Sequence, residues 1–187
     1  SCEKALLQSM ITIASRAVAP KSTIPALEGV LLEAEQELNL TGYNLKTGIR
    51  GTISADIAEP GSIVLSARLF GDIIRRLPDD MVTLSTDDLM VNITCGMSEF
   101  NILGMDPSQF PELPAVEYQN SMILPQRILH SMITETIFAV STNDSRPIHT
   151  GELFERNGEG LLTVVAVDGY RLALRRETTQ LNVSETA

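Results

Sequence analysis

The chain has 187 residues, of which 43% are hydrophobic and 20% charged, and its formal net charge is −10. This length suits one domain and part of another, with enough apolar material for a buried core. Only two cysteines are present and no apolar run approaches the roughly 18 residues of a membrane helix, which excludes disulfide-rich and membrane classes and predicts a cytoplasmic protein.

The first predicted element is an amphipathic helix over residues 3–18. Leu6, Met10, Ile13 and Ala17 recur at helical spacing, and polar side chains occupy another face. Runs with β-branched residues and turn residues between them follow this helix. They predict three strands, at residues 29–34, 37–43 and 45–57.

A second helix and more strands come next. Residues 62–65 predict a strand and residues 67–77 a helix that ends before Pro78. Three further strands are predicted at residues 81–85, 89–94 and 97–103. Pro107, Pro111 and Pro114 then mark a linker over residues 106–119, although prolines alone do not decide whether it is rigid or hinged.

The remaining residues repeat this order in part. Residues 121–124 predict a strand, and Pro125 suits the start of a helix. Three strands are predicted after that helix, at residues 151–156, 160–167 and 171–177.

The sequence contains an internal repeat. Residues 6–12 align with residues 128–134, an offset of 122 (128 − 6), and Pro25 and Gly29 fall on Pro147 and Gly151 at the same offset. A weaker repeat with an offset of 59 (121 − 62) relates residues 62–65 to 121–124. We therefore expect two units, each made of β-α-β-β-β halves of about 60 residues.

The repeat predicts a first domain over residues 1–118 and a second over residues 119–187. By the same arithmetic, the second domain contains only its first half. Because the chain opens in a predicted helix, the sequence leaves open whether the first strand of the first domain is present.

Charges are segregated along the chain. No carboxylate occurs between Glu3 and Glu28 or between Glu117 and Glu135, and each of these windows holds a predicted helix. Helix 67–77 carries three arginines against one acid, whereas the strands and turns hold most of the acids. Such a surface presents positive potential on one side while the net charge stays negative. The alternative is that these are ordinary solvated helix faces, and charge alone does not decide between the two.

An enzyme is not favoured. The chain has two histidines, His130 and His149, and it contains no nucleophile elbow, no glycine-rich phosphate loop and no metal-ligand spacing. We expect a non-catalytic protein without a cofactor or a metal. A stand-alone protein-interaction module is a further possibility.

Several motifs carry a family resemblance. Residues 67–78, Ala-Arg-Leu-Phe-Gly-Asp-Ile-Ile-Arg-Arg-Leu-Pro, resemble the second helix of bacterial sliding clamps, the DNA polymerase III beta subunits. Further similar motifs occur in family order over nearly the whole chain. They are Thr-Ile-Pro-Ala-Leu at 23–27, Phe-Pro-Glu-Leu-Pro at 110–114, Arg-Pro-Ile at 146–148 and Val-Ala-Val-Asp-Gly-Tyr-Arg-Leu-Ala at 165–173.

The resemblance implies an α+β DNA-clamp fold, with helices on one face of antiparallel sheets. A full subunit of this family has three such domains, so the third is absent from this chain. Two subunits close head to tail into a homodimeric ring that encircles duplex DNA and tethers polymerases. The implied partners are duplex DNA of any sequence, the DNA polymerase III alpha subunit, the clamp loader and other proteins with a clamp-binding linear motif, without any membrane.

The resemblance also implies DNA-facing residues. By family position these are Lys21, Arg68, Arg75, Asn143 and Arg146. Charge alone adds Lys4, Arg16 and Arg127. A closed ring needs only weak, sequence-independent phosphate contacts, because strong base contacts would prevent sliding. The alternative for each residue is a solvated surface side chain.

Half of a client-peptide pocket is implied in the second unit. The matching positions are His149, Val167, Gly169, Tyr170, Arg171 and Leu172. Gly169 follows Asp168 as a turn pair that suits a positive φ. His149 stands where an apolar residue is expected, so we expect a shallower apolar pocket and weak peptide binding.

The ring interface is implied on the first unit. Leu69, Ile73 and Leu77 lie on one stripe of the second helix, and Phe100 and Ile102 join them by family position. The alternative is that all five pack inward. Leu69 and Phe100 are the two that we expect to be exposed.

Overall fold

The computed structural model describes residues 1–115, 123–157 and 160–178. The chain divides into two compact units, Ser1–Ala115 (unit 1) and Val116–Ala187 (unit 2). Each unit is described by itself below.

Unit 1 contains the helix-and-meander pattern twice. Its first half comprises β1 (Cys2–Glu3), α1 (Lys4–Ala14), β2 (Gly29–Ala34), β3 (Leu38–Tyr43) and β4 (Gly48–Ile53). Its second half comprises β5 (Gly61–Ser66), α2 (Ala67–Arg76), β6 (Met81–Asp87), β7 (Met90–Cys95) and β8 (Ser98–Leu103). The predicted order of elements and the α+β class are confirmed.

The two halves of unit 1 exchange their first strands. One antiparallel sheet has the order β4-β3-β2-β5, and the other has the order β1-β6-β7-β8. Val64 of the second half lies opposite Leu31 of the first, and Cys2 of the first half lies opposite Val82 of the second. The leading strand that the sequence left open is therefore present, although it is only two residues long.

Helix α1 buries part of the predicted stripe together with the neighbouring one. Leu7, Ile11 and Ala14 are buried in the main core, whereas Leu6 is 43% and Ile13 is 42% exposed. Met10 and Ala17 of the predicted stripe are buried as well, so only Leu6 and Ile13 depart from the prediction. They depart because α1 has apolar side chains on two adjacent stripes, and periodicity alone does not show which one faces the sheets. The helix also ends earlier than predicted, in a 3₁₀ turn at Ser15–Ala17.

A side-chain-stabilised turn shortens one predicted strand. The Asn44 Oδ1 atom accepts hydrogen bonds from the backbone N–H groups of Lys46 and Thr47, at 3.0 and 2.8 Å. Leu45 has φ +69° in this turn, so the chain cannot continue as a strand there. The strand predicted at 45–57 therefore covers only Gly48–Ile53.

The first part of the predicted linker belongs to unit 1. Met105 forms an antiparallel bridge with Val64, and Pro107–Gln109 is a 3₁₀ turn. Phe110 is buried in a second apolar cluster on the sheet face opposite the helices, with Ala26, Leu27, Tyr43 and Val64. Residues 116–119 of the predicted linker lie outside the described residues.

Unit 2 contains α3 (Gln126–Thr136), β9 (Leu153–Arg156), β10 (Leu161–Val167) and β11 (Leu172–Thr178). The three strands form an antiparallel sheet of order β11-β10-β9, and Met132 of α3 packs on its inner face. Pro125 lies at the start of α3, as predicted.

The strand predicted at 121–124 is only partly covered by the structure. Ser121 and Met122 lie outside the described residues, and Ile123 and Leu124 belong to no strand. Among the helices of the described residues, none is long and apolar enough to cross a membrane.

Candidate functional site

Helices α1 and α2 of unit 1 lie side by side and leave an open groove between them. The groove has a volume of about 640 Å³. Its lining is mixed: polar side chains include Gln8 and Thr12 from α1 and Arg68 and Arg75 from α2, and apolar residues such as Ile11 lie between them. Because the other faces of both helices pack on the sheets, this groove forms the solvent side of the helix layer.

The cations predicted to face DNA lie on this helix layer or beside it. Arg16, Lys21, Arg68 and Arg75 are all exposed. Arg75 Nη2 lies 3.2 Å from Asp72 Oδ1, an exposed ion pair one turn apart on α2. Within unit 1, which the structure describes completely to residue 115, the other three have no ion-pair partner. The helix layer therefore carries an excess of positive charge.

Lys4 differs from these residues. Its Nζ atom lies 2.7 Å from Asp79 Oδ1, and only 12% of its side chain is accessible. The backbone N–H of Lys4 also donates to the Asp80 carbonyl. This charge is balanced locally, so Lys4 is the weakest of the predicted DNA contacts.

The predicted DNA-facing residues of unit 2 are exposed as well. Arg127 lies in the first turn of α3, and Asn143 and Arg146 lie between α3 and β9. The Asn143 Oδ1 atom accepts a hydrogen bond from the Ser145 N–H at 2.9 Å, which shapes this segment.

The predicted pocket residues of unit 2 include a tight turn built on Asp168. Its Oδ1 atom accepts hydrogen bonds from the backbone N–H groups of Tyr170 and Arg171, both at 3.0 Å. Its Oδ2 atom lies 2.8 Å from Arg171 Nε. These two backbone hydrogen bonds, and then the Arg171 side chain, lower the pKa of the Asp168 carboxyl. Gly169 occupies the left-handed region with φ +92°, the positive φ that was predicted for the Asp168–Gly169 turn.

Apolar side chains stand beside this turn. Val167 is half-buried and lies opposite Leu172, which is 63% exposed, while Tyr170 is fully exposed. His149 ends a 3₁₀ turn, and its carbonyl accepts a hydrogen bond from the Ser141 N–H at 2.7 Å.

The prediction missed two residues of the same surface, Leu153 and Leu174. Both are exposed and both lie opposite Val165, on the sheet face that also carries Val167 and Leu172. Strand alternation along β9–β11 would have found them, because residues two apart on a strand share a face.

The predicted ring-interface residues separate into two groups. Ile73, Leu77 and Ile102 are buried in the main core, which agrees with the inward alternative for these three. Leu69 is 48% and Phe100 is 40% exposed, as expected.

Strand β8 shows one further candidate for this interface. Leu103 at its end is mostly exposed, although the prediction did not include it. Since β8 is an edge strand, its backbone also has a free hydrogen-bonding side.

The described residues contain no group of three or more His, Cys, Asp or Glu that could bind a metal ion.

Comparisons with known proteins agree over both units. Residues 1–114 match the family model of the DNA polymerase III beta subunit, N-terminal domain, and residues 123–187 match that of the central domain. The beta sliding clamp of Halalkalibacterium halodurans is 38% identical over 181 residues, which cover 91% of this chain and 47% of that protein. The beta sliding clamp of Synechocystis sp. is 36% identical over 194 residues, covering 98% of this chain and 49% of that protein.

Solved structures give the same result. The beta subunit of DNA polymerase from Streptococcus pyogenes superposes with a TM-score of 0.89 at 33% identity, over 96% of this chain and 50% of that one. The DNA polymerase sliding clamp of Bacillus subtilis superposes with a TM-score of 0.88 at 31% identity, with the same coverage of both chains. The chain spans about half the length of the relatives that it matches. It belongs to the DNA polymerase III beta subunit family and carries sequence of the N-terminal and central domains.

Proposed function

We propose that this chain is part of a sliding clamp, a non-catalytic processivity factor that holds a replicative polymerase on duplex DNA in the bacterial cytoplasm. The observation that carries the proposal is the match of both units, in order, to the first two domains of one clamp family. In this proposal residues 1–118 are clamp domain 1 and residues 119–187 are the first half of clamp domain 2.

The helix layer is the proposed DNA-facing surface. Unpaired cations at Arg16, Lys21 and Arg68 favour phosphate contacts, whereas Lys4 with its Asp79 partner contributes least. Flexible exposed side chains suit sliding, because each contact is weak and independent of sequence. In unit 2 we propose Arg127, Asn143 and Arg146 for the same role.

The turn region of unit 2 is the proposed client site. His149, Val167, Gly169, Tyr170, Arg171 and Leu172 would form one side of a pocket for a short linear peptide of the polymerase alpha subunit, the clamp loader or another client. Its exposed apolar side chains favour peptide anchors, and Leu153 and Leu174 extend the apolar surface.

Leu69 and Phe100 are the proposed contacts of unit 1 in a head-to-tail homodimer. Exposed apolar side chains next to an edge strand favour such an interface. Ile73, Leu77 and Ile102 would support it from the core rather than touch the partner.

The test of the clamp function uses a full-length polypeptide, in which this sequence is followed by the second half of clamp domain 2 and a third clamp domain. Loaded by a clamp loader, it should stay on circular duplex DNA and slide off linear DNA with free ends. Equal retention on both DNA forms would contradict topological clamping and would favour an interaction module.

The DNA-facing surface is tested separately on the 187-residue chain. Affinity for a fluorescent duplex should fall with salt, and Arg68→Ala should reduce the slope of log affinity against log salt by about 0.9. Arg50→Ala is the matched control, since Arg50 pairs with Glu33 on the sheet face opposite the helices. An equal loss of slope in both variants would show that the helix layer has no special role.

A further inference from the structure

Unit 1 repeats the backbone hydrogen bonds that surround the proposed client site of unit 2. In unit 2 the His149 carbonyl accepts from Ser141 N–H at 2.7 Å, and 122 residues earlier the Leu27 carbonyl accepts from Ala19 N–H at 3.0 Å. The N–H of Leu27 donates to Ile24, as that of His149 donates to Arg146. Leu27 is therefore the structural counterpart of His149.

The tight turns also correspond, with an offset of 124 (168 − 44). Asn44 Oδ1 accepts from the two following N–H donors of its turn just as Asp168 Oδ1 does. The strand pair Tyr43 and Gly48 in unit 1 corresponds to the pair Val167 and Leu172 in unit 2. The unit 1 counterpart of the proposed client site thus comprises Leu27, Tyr43 and Gly48.

In unit 1 this counterpart is covered by the chain itself. A Cβ atom on Gly48 would lie 2.7 Å from Leu113 Cδ2, so the Leu113 side chain sits directly on Gly48 and beside Tyr43. Phe110 is buried in the same cluster, and Leu27 is only 1% exposed. In unit 2, by contrast, Leu172 is 63% exposed among the described residues.

The covering segment resembles a bound peptide more than a strand. Phe110 has an extended backbone, and residues 111–115 make no backbone hydrogen bond within the described part of the chain. Two apolar side chains, Phe110 and Leu113, are held in the cluster while Glu112 between them is exposed. This is how a short linear motif with two apolar anchors occupies a surface groove.

We propose that unit 1 carries a second peptide-binding site, equivalent to the client site of unit 2 and closed by the chain's own residues 110–113. Its ligand class is an extended peptide with two large apolar side chains three residues apart. The equivalence of the two sites rests on the proposed function of unit 2. The occupied site itself is argued only from the packing in unit 1.

Residues 110–113 are covalently connected to the site that they cover, and this connection explains why the site stays closed. A ligand joined by a short connection acts at an effective concentration of about a millimolar. Free peptide at micromolar concentration cannot displace it, so client peptides are directed to unit 2.

The experiment opens the site in the 187-residue chain and offers the segment back as a free peptide. The probe is a synthetic peptide of residues 106–115 with photoreactive benzoylphenylalanine in place of the phenylalanine. The opened variant is Phe110→Ala combined with Leu113→Ala, and Met97→Ala, at a fully exposed turn position, is the control. Cross-linked residues are identified by mass spectrometry, and circular dichroism checks the fold.

We expect cross-links to residues 24–48 in the opened variant at a yield about tenfold above the control, since the competitor has been removed. An equal yield at these residues in both proteins would overturn the inference. If the double variant does not fold, Leu113→Ala alone decides by the same two outcomes, because Leu113 is only half-buried.

The position of the cross-links separates this inference from the proposed function. Cross-links confined to residues 147–172 would support the client site of unit 2 and overturn the second site. Cross-links to residues 24–48 of the opened variant without any in unit 2 would support the second site, although the proposed client site would then have failed to bind this peptide class.

Discussion

Asp168 shows how one side chain shapes the proposed client site. Its carboxylate accepts two backbone N–H donors and faces Arg171, so the loop between β10 and β11 is held by a charged group rather than by packing. Asn44 does the same with an uncharged amide in unit 1. The two turns have the same geometry, but only the turn of unit 2 depends on a titratable group.

The first prediction concerns the pH dependence of that turn. The lowered pKa of Asp168 means that its stabilising effect is present above the ordinary Asp pKa, about 3.9, and is lost as pH falls through the lowered folded value. The amide NMR shifts of Tyr170 and Arg171 should therefore titrate with a midpoint below that ordinary value.

Asp168→Asn is the control for this titration. The amide oxygen can still accept the two backbone hydrogen bonds, but the side chain has no proton to gain, so the transition should disappear. A midpoint at or above the ordinary Asp pKa, or an unchanged titration in the Asn variant, would contradict the prediction. Asp106 should behave like Asp168, because Ser108 donates to its carboxylate and lowers its pKa.

At the scale of elements, α1 is the helix whose orientation the sequence does not determine. Leu6 and Ile13 form one apolar stripe, and Leu7, Ile11 and Ala14 form the next. The second stripe packs against the sheets and α2, which leaves the first half-exposed on the helix layer.

The second prediction compares the two neighbouring leucines. Leu7→Ala should lower the free energy of unfolding by about 2–5 kcal/mol, because it leaves a cavity in the main core. Leu6→Ala should lower it by less than about 1 kcal/mol. Urea unfolding followed by circular dichroism measures both, and equal effects would show that α1 is rotated from the orientation described.

The third prediction concerns the close approach of α1 to β3. A Cβ atom on Gly42 would collide with the Ala14 carbonyl oxygen, which is backbone and cannot move aside alone. Gly42→Ala should therefore lower the free energy of unfolding by at least about 1–3 kcal/mol.

Gly61 supplies the matched control for Gly42. It is also a strand residue, yet a Cβ atom there would meet nothing within 4 Å. Gly61→Ala should change the free energy of unfolding by at most about 1 kcal/mol, toward stabilisation. A tolerated Gly42→Ala would mean that α1 and β3 are farther apart than described.

At the scale of the whole molecule, strand exchange makes unit 1 a single cooperative body. Each sheet takes its outer strand from the other half, and both helices share one core with both sheets. Apolar side chains that remain exposed on such a body are candidates for contacts with another chain.

The fourth prediction concerns ring closure by the full-length polypeptide, which completes clamp domain 2 and adds a third clamp domain. Phe100→Asp and Leu69→Asp should each convert the dimer into monomers at micromolar concentration, measured by light scattering. Leu45→Asp, an exposed leucine on a turn of the other sheet, should leave the dimer intact. Dimers that persist in both Phe100→Asp and Leu69→Asp would remove these residues from the proposed interface.

Much of this protein could be predicted from local sequence patterns. The 122-residue repeat, the order of helices and strands, the α+β class and the family motifs are all visible in the sequence. So is the concentration of cations on the helices, because charge segregation is a property of composition along the chain. The predicted turn at Asp168 and Gly169 followed from the residues themselves.

Other features depended on contacts between distant residues. Only the tertiary structure showed that β5 pairs with β2 and that Leu113 packs on Gly48. It also showed that Ile73, Leu77 and Ile102 are buried. Periodicity reports that a stripe or a segment is apolar, but it carries no information about which surface will cover it. The sequence therefore determined the elements and the family, and the tertiary structure decided which apolar side chains are buried, which are exposed and which site the chain closes with its own residues.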